Sequence, residues 1–131
     1  MKNSILNWAV FFGASGVILG ALGAHALKDL LSPEKLLSFE TGVRYQLLHA
    51  LFLLVLYALR NDKSISKINL ALKLCVTGIF CFSFSIYILS LNEVWKLENL
   101  KILGPITPIG GILLISAWIV LLFKNKNDHE N

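Results

Sequence analysis

Four blocks of the 131-residue chain, residues 5–27, 45–59, 68–91 and 106–123, are almost free of charge over lengths close to a bilayer crossing. A transmembrane helix needs about 20 mostly apolar residues to cross a hydrocarbon core about 30 Å thick. The apolar residues come as continuous runs instead of the periodic stripes of a water-soluble core. In lipid a run of this kind satisfies its backbone only as a helix. The expected fold is therefore all-α, a membrane bundle of four transmembrane helices, with residues 1–131 as a single integral membrane domain. Composition agrees. The chain is 56% hydrophobic and 15% charged, whereas soluble domains are about 45–50% apolar and about 25% charged.

Lys2 before the first block and Gly23-Ala24-His25-Ala26 at its end give the outline of a cleavable signal peptide. The apolar run exceeds the usual h-region of about 7–15 residues, so a retained helix is expected. Ala9, Gly13, Gly16, Gly20 and Gly23 recur every three or four positions and include a GxxxG. Such a stripe gives a helix a flat side that another backbone can approach closely. Gly110 and Gly111 offer a second small face near the start of the fourth block. The expected partners are the lipid bilayer and, through a glycine face, a second copy of the chain or another membrane protein.

Ser32-Pro33-Glu34 combines an N-cap, a proline at the first helical position and an early acidic residue. The second helix is therefore extended by an amphipathic N-terminal part. Over residues 33–59 it would measure roughly 40 Å at 1.5 Å per residue, longer than the hydrocarbon core. Leu36, Leu37 and Phe39 among Lys35, Glu40 and Arg44 suit an interfacial piece, with Gly42 marking a bend into the span. The polar residues 60–64 make a short turn, so the second and third spans are antiparallel neighbours. Residues 92–105 are mixed and suit the interface, Thr107-Pro108 repeats the cap-plus-proline pattern, and residues 124–131 form a polar tail.

With the N-terminus inside, Lys2, Arg60, Lys63, Lys67, Lys73, Lys124 and Lys126 gather on the cytoplasmic side, seven of the twelve Lys and Arg. The positive-inside rule then puts both termini in the cytoplasm of a multi-pass plasma-membrane or inner-membrane protein. The net charge of +4 sits between and beyond the apolar blocks, a placement that fits orientation and speaks against a nucleic-acid partner. Cys75 and Cys81 are six apart, on different sides of one helix, so they read as small apolar filler. No Walker loop, GxSxG or strand-borne GxGxxG is present. Nothing in the sequence nominates an enzyme or a cofactor.

One polar group stands apart. His25 closes the first block, while Glu40, Arg44, Tyr45, Gln46 and His49 straddle the start of the second. An up-down hairpin would bring all six to one membrane face, and Glu40/Arg44 and Tyr45/His49 are each four apart on a common helix side. Such groups tolerate this depth only when paired or hydrated. Three roles fit: an ion pair and hydrogen bonds tying two helices, a pocket for protons, a small ion or a lipid headgroup, or a His25/His49/Glu40 metal site. No compact ligand spacing supports the last, and no metal is expected. Ser83, Ser85 and Tyr87 are candidates for hydrogen bonds across helices, and Trp8, Trp95, Trp118, Tyr45 and Tyr57 read as interface anchors or packing groups.

Four motifs, in order GALGAHAL from Gly20, FETGVRYQ from Phe39 with His49 following, FSFSIY from Phe82, and TPIGG from Thr107 with Ala117-Trp118, carry a further signal. Together they resemble the small integral membrane family known as domain of unknown function 423, with animal relatives named transmembrane protein 256-like. Phe84 departs from that pattern, which has a small residue, often glycine, between the two serines. The resemblance implies a multi-pass protein of about four helices in a plasma or inner membrane, without an established biochemical activity. The expected role is a structural or accessory membrane component. Its alternative is a small oligomeric transporter or channel with a polar interfacial site at His25, Glu40, Arg44 and His49, although the span centres lack the carboxylate that proton-coupled carriers use.

Overall fold

The computed structural model of the protein describes residues 2–61 and 65–123, and every regular element among them is helical. Helix α1 is Lys2–Ala24 and α2 is Pro33–Leu59; α3, Ile65–Ile79, passes through a π-helical turn at Phe80–Phe84 into α4, Ser85–Trp95. A 3₁₀ turn at Leu100–Leu103 leads to α5, Ile106–Ile119. Among the described residues four stretches are long and apolar enough to cross a membrane: Ser4–Ala24, Pro33–Leu59, Ser66–Trp95 and Leu100–Ile119. The expected all-α bundle of four spans is the observed architecture. Residues 62–64 of the expected polar turn and the expected tail, 124–131, lie outside the described residues.

The first and last spans end earlier than hydropathy alone suggests. Beyond Ala24 the chain turns, and the Leu27 N–H bonds the Leu22 carbonyl at 2.9 Å, a five-residue closure typical of helix C-termini. After Ile119 the Leu121 and Leu122 amides bond carbonyls only three residues back. Apolar character continues past both points, but hydrogen bonding changes there, and hydropathy does not register that change.

The start of α2 follows local chemistry. Ser32 is extended at φ −60°, ψ 155°, its Oγ accepts from the Lys35 N–H, Pro33 sits in the first turn and Glu34 faces the positive helix end. Glu93, in the last turn of α4, accepts from both the Ser32 N–H at 2.8 Å and the Ser32 hydroxyl at 3.0 Å. Local capping is thereby tied to a residue 61 positions away. Glu93→Ala is expected to cost about 1 kcal/mol. Hydrogen exchange would show it as faster exchange at the amides of Ser32 and residues 34–36, with the amides near Phe52 unchanged.

Helix α2 continues through Gly42 without a break, so the glycine does not interrupt it. Gly42 is there for another reason: a Cβ would stand 2.7 Å from Cε1 of Tyr87 and 3.3 Å from the Ser83 carbonyl oxygen. The amphipathic extension is built into the bundle, with Phe39 and Val43 buried against Tyr87 and Leu31. Thr107 does not cap α5, which begins at Ile106 behind Pro105; its hydroxyl lies 2.7 Å from Ser85 Oγ instead. A cross-helix partner has taken the group that a local motif would have used.

The larger core joins Phe12 of α1, Phe52, Leu53 and Leu56 of α2, Ile68, Cys75 and Ile79 of α3, and Leu114 and Ala117 of α5. Trp8 and Phe12 bring α1 to Phe80, with ring centroids 5.8 and 5.5 Å apart. Phe84, in the π turn, lies against Phe80 at 4.9 Å and Tyr87 at 5.7 Å. Cys75 is buried, Cys81 half-buried, and both are free thiols.

Candidate functional site

The antiparallel packing of α1 on α2 sets the register of the polar residues. Gly23 faces Phe39, Gly20 faces Val43, Gly16 faces Leu47 and Gln46, and Gly13 faces Ala50. At Gly16 a Cβ would lie 2.7 Å from Leu47 Cδ2, so the stripe is spent on the neighbouring helix of the same chain. In this register His49 stands level with residue 14 of α1, eleven residues before His25, a separation of roughly 16 Å along the axis. Both histidines would share a face only if each stood at the end of a span. The long α2 instead carries His49 to mid-helix, so one face cannot hold both.

The six polar residues accordingly divide. His25, Glu40, Arg44 and Tyr45 are exposed, while Gln46 and His49 are buried. Gln46, with no exposed surface, uses both ends of its amide. Its Nε2 donates to the Phe12 carbonyl at 2.9 Å and to Ser15 Oγ at 2.8 Å. Its Oε1 accepts from the Tyr87 hydroxyl at 2.8 Å. One side chain of α2 thus links α1 to α4. A turn away, Ser83 Oγ donates to the Gly42 carbonyl at 2.8 Å, fixing the third span against α2.

His49 holds a second junction. The indole Nε1 of Trp118 can only donate, and it lies 3.1 Å from His49 Nε2, which must accept. The proton then belongs to Nδ1, which donates to the Tyr45 carbonyl at 2.8 Å. Both ring nitrogens are engaged and the imidazole is neutral, so it has no lone pair left for a metal. The Trp118 ring also lies 4.2 Å from that of Phe52, between centroids. Beside His49 a crevice of about 320 Å³ opens between α2, the π turn and α5, lined by Tyr45, Phe82, Gly111 and Ile115 among others.

Among the described residues no group of three or more His, Cys, Asp or Glu side chains is placed to hold a metal. Gly110 and Gly111 differ in kind. A Cβ on Gly110 would be 2.4 Å from the Phe82 backbone nitrogen, whereas one on Gly111 would meet only the edge of the Phe82 ring at 3.7 Å. The sequence singles out Gln46 and His49 and also Ser83, Ser85 and Tyr87 as hydrogen bonders across helices, and these last three do bond across helices. It does not find Ser15 or give Trp118 a hydrogen-bonding role, and these partners of Gln46 and His49 lie 31 and 69 positions away. Periodicity gives one hint: Ser15 adjoins the glycine stripe, the side of α1 that must face another helix.

Comparison with known proteins places these features in a wider set. The family profile described as protein of unknown function (DUF423) matches residues 19–111. The chain is similar to a UPF0382 membrane protein of Haemophilus influenzae, 36% identical over 97% of this chain and 99% of that one. A UPF0382 membrane protein of Staphylococcus haemolyticus is 40% identical over 80% of each chain. One of Bacillus subtilis is 40% identical over 79% of this chain and 80% of its own length. No solved structure matches.

Proposed function

Because the chain belongs to the family described as protein of unknown function (DUF423), whose curated relatives are called membrane proteins, we propose that this multi-pass membrane protein is a structural or accessory component of a cell membrane, without enzymatic activity. One observation carries the reading. Of the buried polar side chains among the described residues, Gln46, His49, Ser83, Ser85 and Tyr87 are bonded to protein groups, mostly across helices, and the Ser90 hydroxyl is the exception, without a partner. A carrier keeps polar groups available to its solute near mid-membrane; here all of these but the Ser90 hydroxyl are spent on the fold. The Lys and Arg distribution supports cytoplasmic termini, seven of twelve lying on the N-terminal side.

With the glycine stripe of α1 covered by α2, a second copy or another membrane protein would dock on the exposed apolar faces, such as Val10, Val17 and Ile18 of α1 or Ile112 and Ile115 of α5. The rival reading, a small oligomeric transporter, draws on the exposure of His25, Glu40 and Arg44 toward one end of the bundle, where copies would bring them together. Reconstituted vesicles decide between them. Flux of protons, small ions and small solutes is expected to equal that of empty vesicles. A flux that Glu40→Gln or His49→Ala abolishes would overturn the structural reading. Copurification from native membranes is expected to retain a membrane-protein partner or a second copy.

A further inference from the structure

Charge is unevenly spread along the bundle axis. The five acidic side chains among the described residues, Asp29, Glu34, Glu40, Glu93 and Glu98, all belong to the end where α1 and α4 finish and α2 begins. The opposite end holds the described cations Arg60, Lys67 and Lys73. Two are occupied within the chain. Lys67 Nζ donates to the Phe123 carbonyl, and the Arg60 guanidinium donates to the Tyr57 carbonyl while lying 3.7 Å over the Tyr57 ring. Lys73 has no hydrogen bond or ion pair among the described residues. It sits eight residues beyond Ile65, roughly 12 Å along the helix, where a bare ammonium needs a counter-charge or a route to the headgroups.

The surroundings of Lys73 suit a counter-charge brought from the bilayer. Toward this end α1 and the third span separate, leaving a crevice of about 400 Å³. Its polar lining includes the Ser4 and Thr77 hydroxyls, the Trp8 indole and Lys73; Leu72 and Val76 line its apolar side. Small-ligand sites span about 300–1,000 Å³, so the space suits a headgroup region but not a whole lipid. The Trp8 ring is of the amphipathic kind that settles at headgroup level. Basic pockets between transmembrane helices are suited to anionic headgroups.

We propose that this crevice binds one anionic phospholipid, its phosphodiester held by Lys73 between the Ser4 and Thr77 hydroxyls and an acyl chain lying along Leu72 and Val76. The phosphate supplies both the missing charge and acceptors for the hydroxyls. A zwitterionic lipid carries its own ammonium, which competes with Lys73 for the same phosphate. Selectivity is therefore for net charge.

The test uses the full chain in mild detergent, incubated with phosphatidylglycerol or phosphatidylcholine of the same acyl composition, with retained lipid counted by native mass spectrometry. One phosphatidylglycerol is expected to be retained roughly five-fold more than phosphatidylcholine, the scale of one lysine at a membrane surface. Lys73→Gln should abolish the preference and Lys73→Arg should keep it. Phosphatidylglycerol with brominated acyl chains should quench wild-type tryptophan fluorescence more than brominated phosphatidylcholine does, and Trp8→Phe should remove that difference. Inorganic phosphate should displace nothing. Equal retention in wild type and Lys73→Gln, or displacement by inorganic phosphate, overturns the lipid site. Should Lys73→Gln fail to fold, the quenching comparison and the Lys73→Arg retention still decide.

Discussion

Gly110→Ala is expected to cost about 3 kcal/mol or to prevent folding, while Gly111→Ala should stay within about 0.5 kcal/mol of wild type. The two residues are adjacent and chemically identical, so the contrast isolates packing. At Gly110 the new methyl would approach Phe82 N at 2.4 Å, the Cys81 carbonyl carbon at 2.6 Å and Phe82 Cα at 2.8 Å. These are backbone atoms of the π turn, which cannot rotate aside as a side chain can. Relief would require α5 to withdraw from the third span, and Gly78, four residues before Phe82, opposes it. A Cβ there already meets Leu114 Cδ2 at 2.6 Å, so α5 is seated closely at two successive levels. At Gly111 the nearest atoms are 3.7 and 3.8 Å away, ordinary contact with a ring edge. Thermal unfolding in detergent, followed by helical circular dichroism, measures both variants. Equal stability of the pair would mean that α5 does not rest on the π turn.

This pair also shows what the sequence can and cannot express. The four spans and the first residue of α2 were legible because they depend on local properties: apolar length, and the Ser32-Pro33-Glu34 cap that the structure keeps. The glycine stripe correctly marks a close face on α1. It does not say whose backbone or side chains fill it, and α2 does so at Gly13, Gly16, Gly20 and Gly23. Thr107 was misread and Gly42 only half read, for one reason. Each has a partner in another helix that local sequence does not show: Ser85 takes the Thr107 hydroxyl from its capping role, and the Tyr87 ring needs the space that Gly42 leaves. The π turn at Phe80–Phe84 has no hydropathy signature at all. The polar cluster was half legible: Gln46 and His49 stand out because a polar side chain in an apolar run must find a partner. Their burial apart from His25, Glu40 and Arg44 follows from the α1–α2 register, which only tertiary packing sets.

The second large effect concerns Gln46. Replacing it with Leu keeps the volume nearly constant but takes the Gln46 acceptor from the Tyr87 hydroxyl, on a residue only 5% exposed, and leaves it only the Ser83 side chain. The other two partners lose less. The Ser15 hydroxyl still donates to the Phe11 carbonyl at 2.6 Å, and the Phe12 carbonyl remains within its helix. With the phenol's acceptor lost together with both amide bonds to α1, Gln46→Leu should cost about 2 kcal/mol. Tyr87→Phe removes the donor and leaves Gln46 Oε1 unpaired while its amide nitrogen stays bonded, so it should cost less, about 1 kcal/mol. The double variant removes both members, and its cost should fall short of the sum by about 1 kcal/mol. Hydrogen bonds between membrane helices average about 0.6 kcal/mol because the unfolded state in lipid finds substitutes. Gln46 stands above that average because it bridges α1 and α4 at once, an arrangement separated helices cannot reproduce. A double-mutant cycle on unfolding in mixed micelles supplies the number. Additive costs for Gln46→Leu and Tyr87→Phe would show that the two side chains do not act together, and the case for a polar core devoted to holding helices in place would lose its main support.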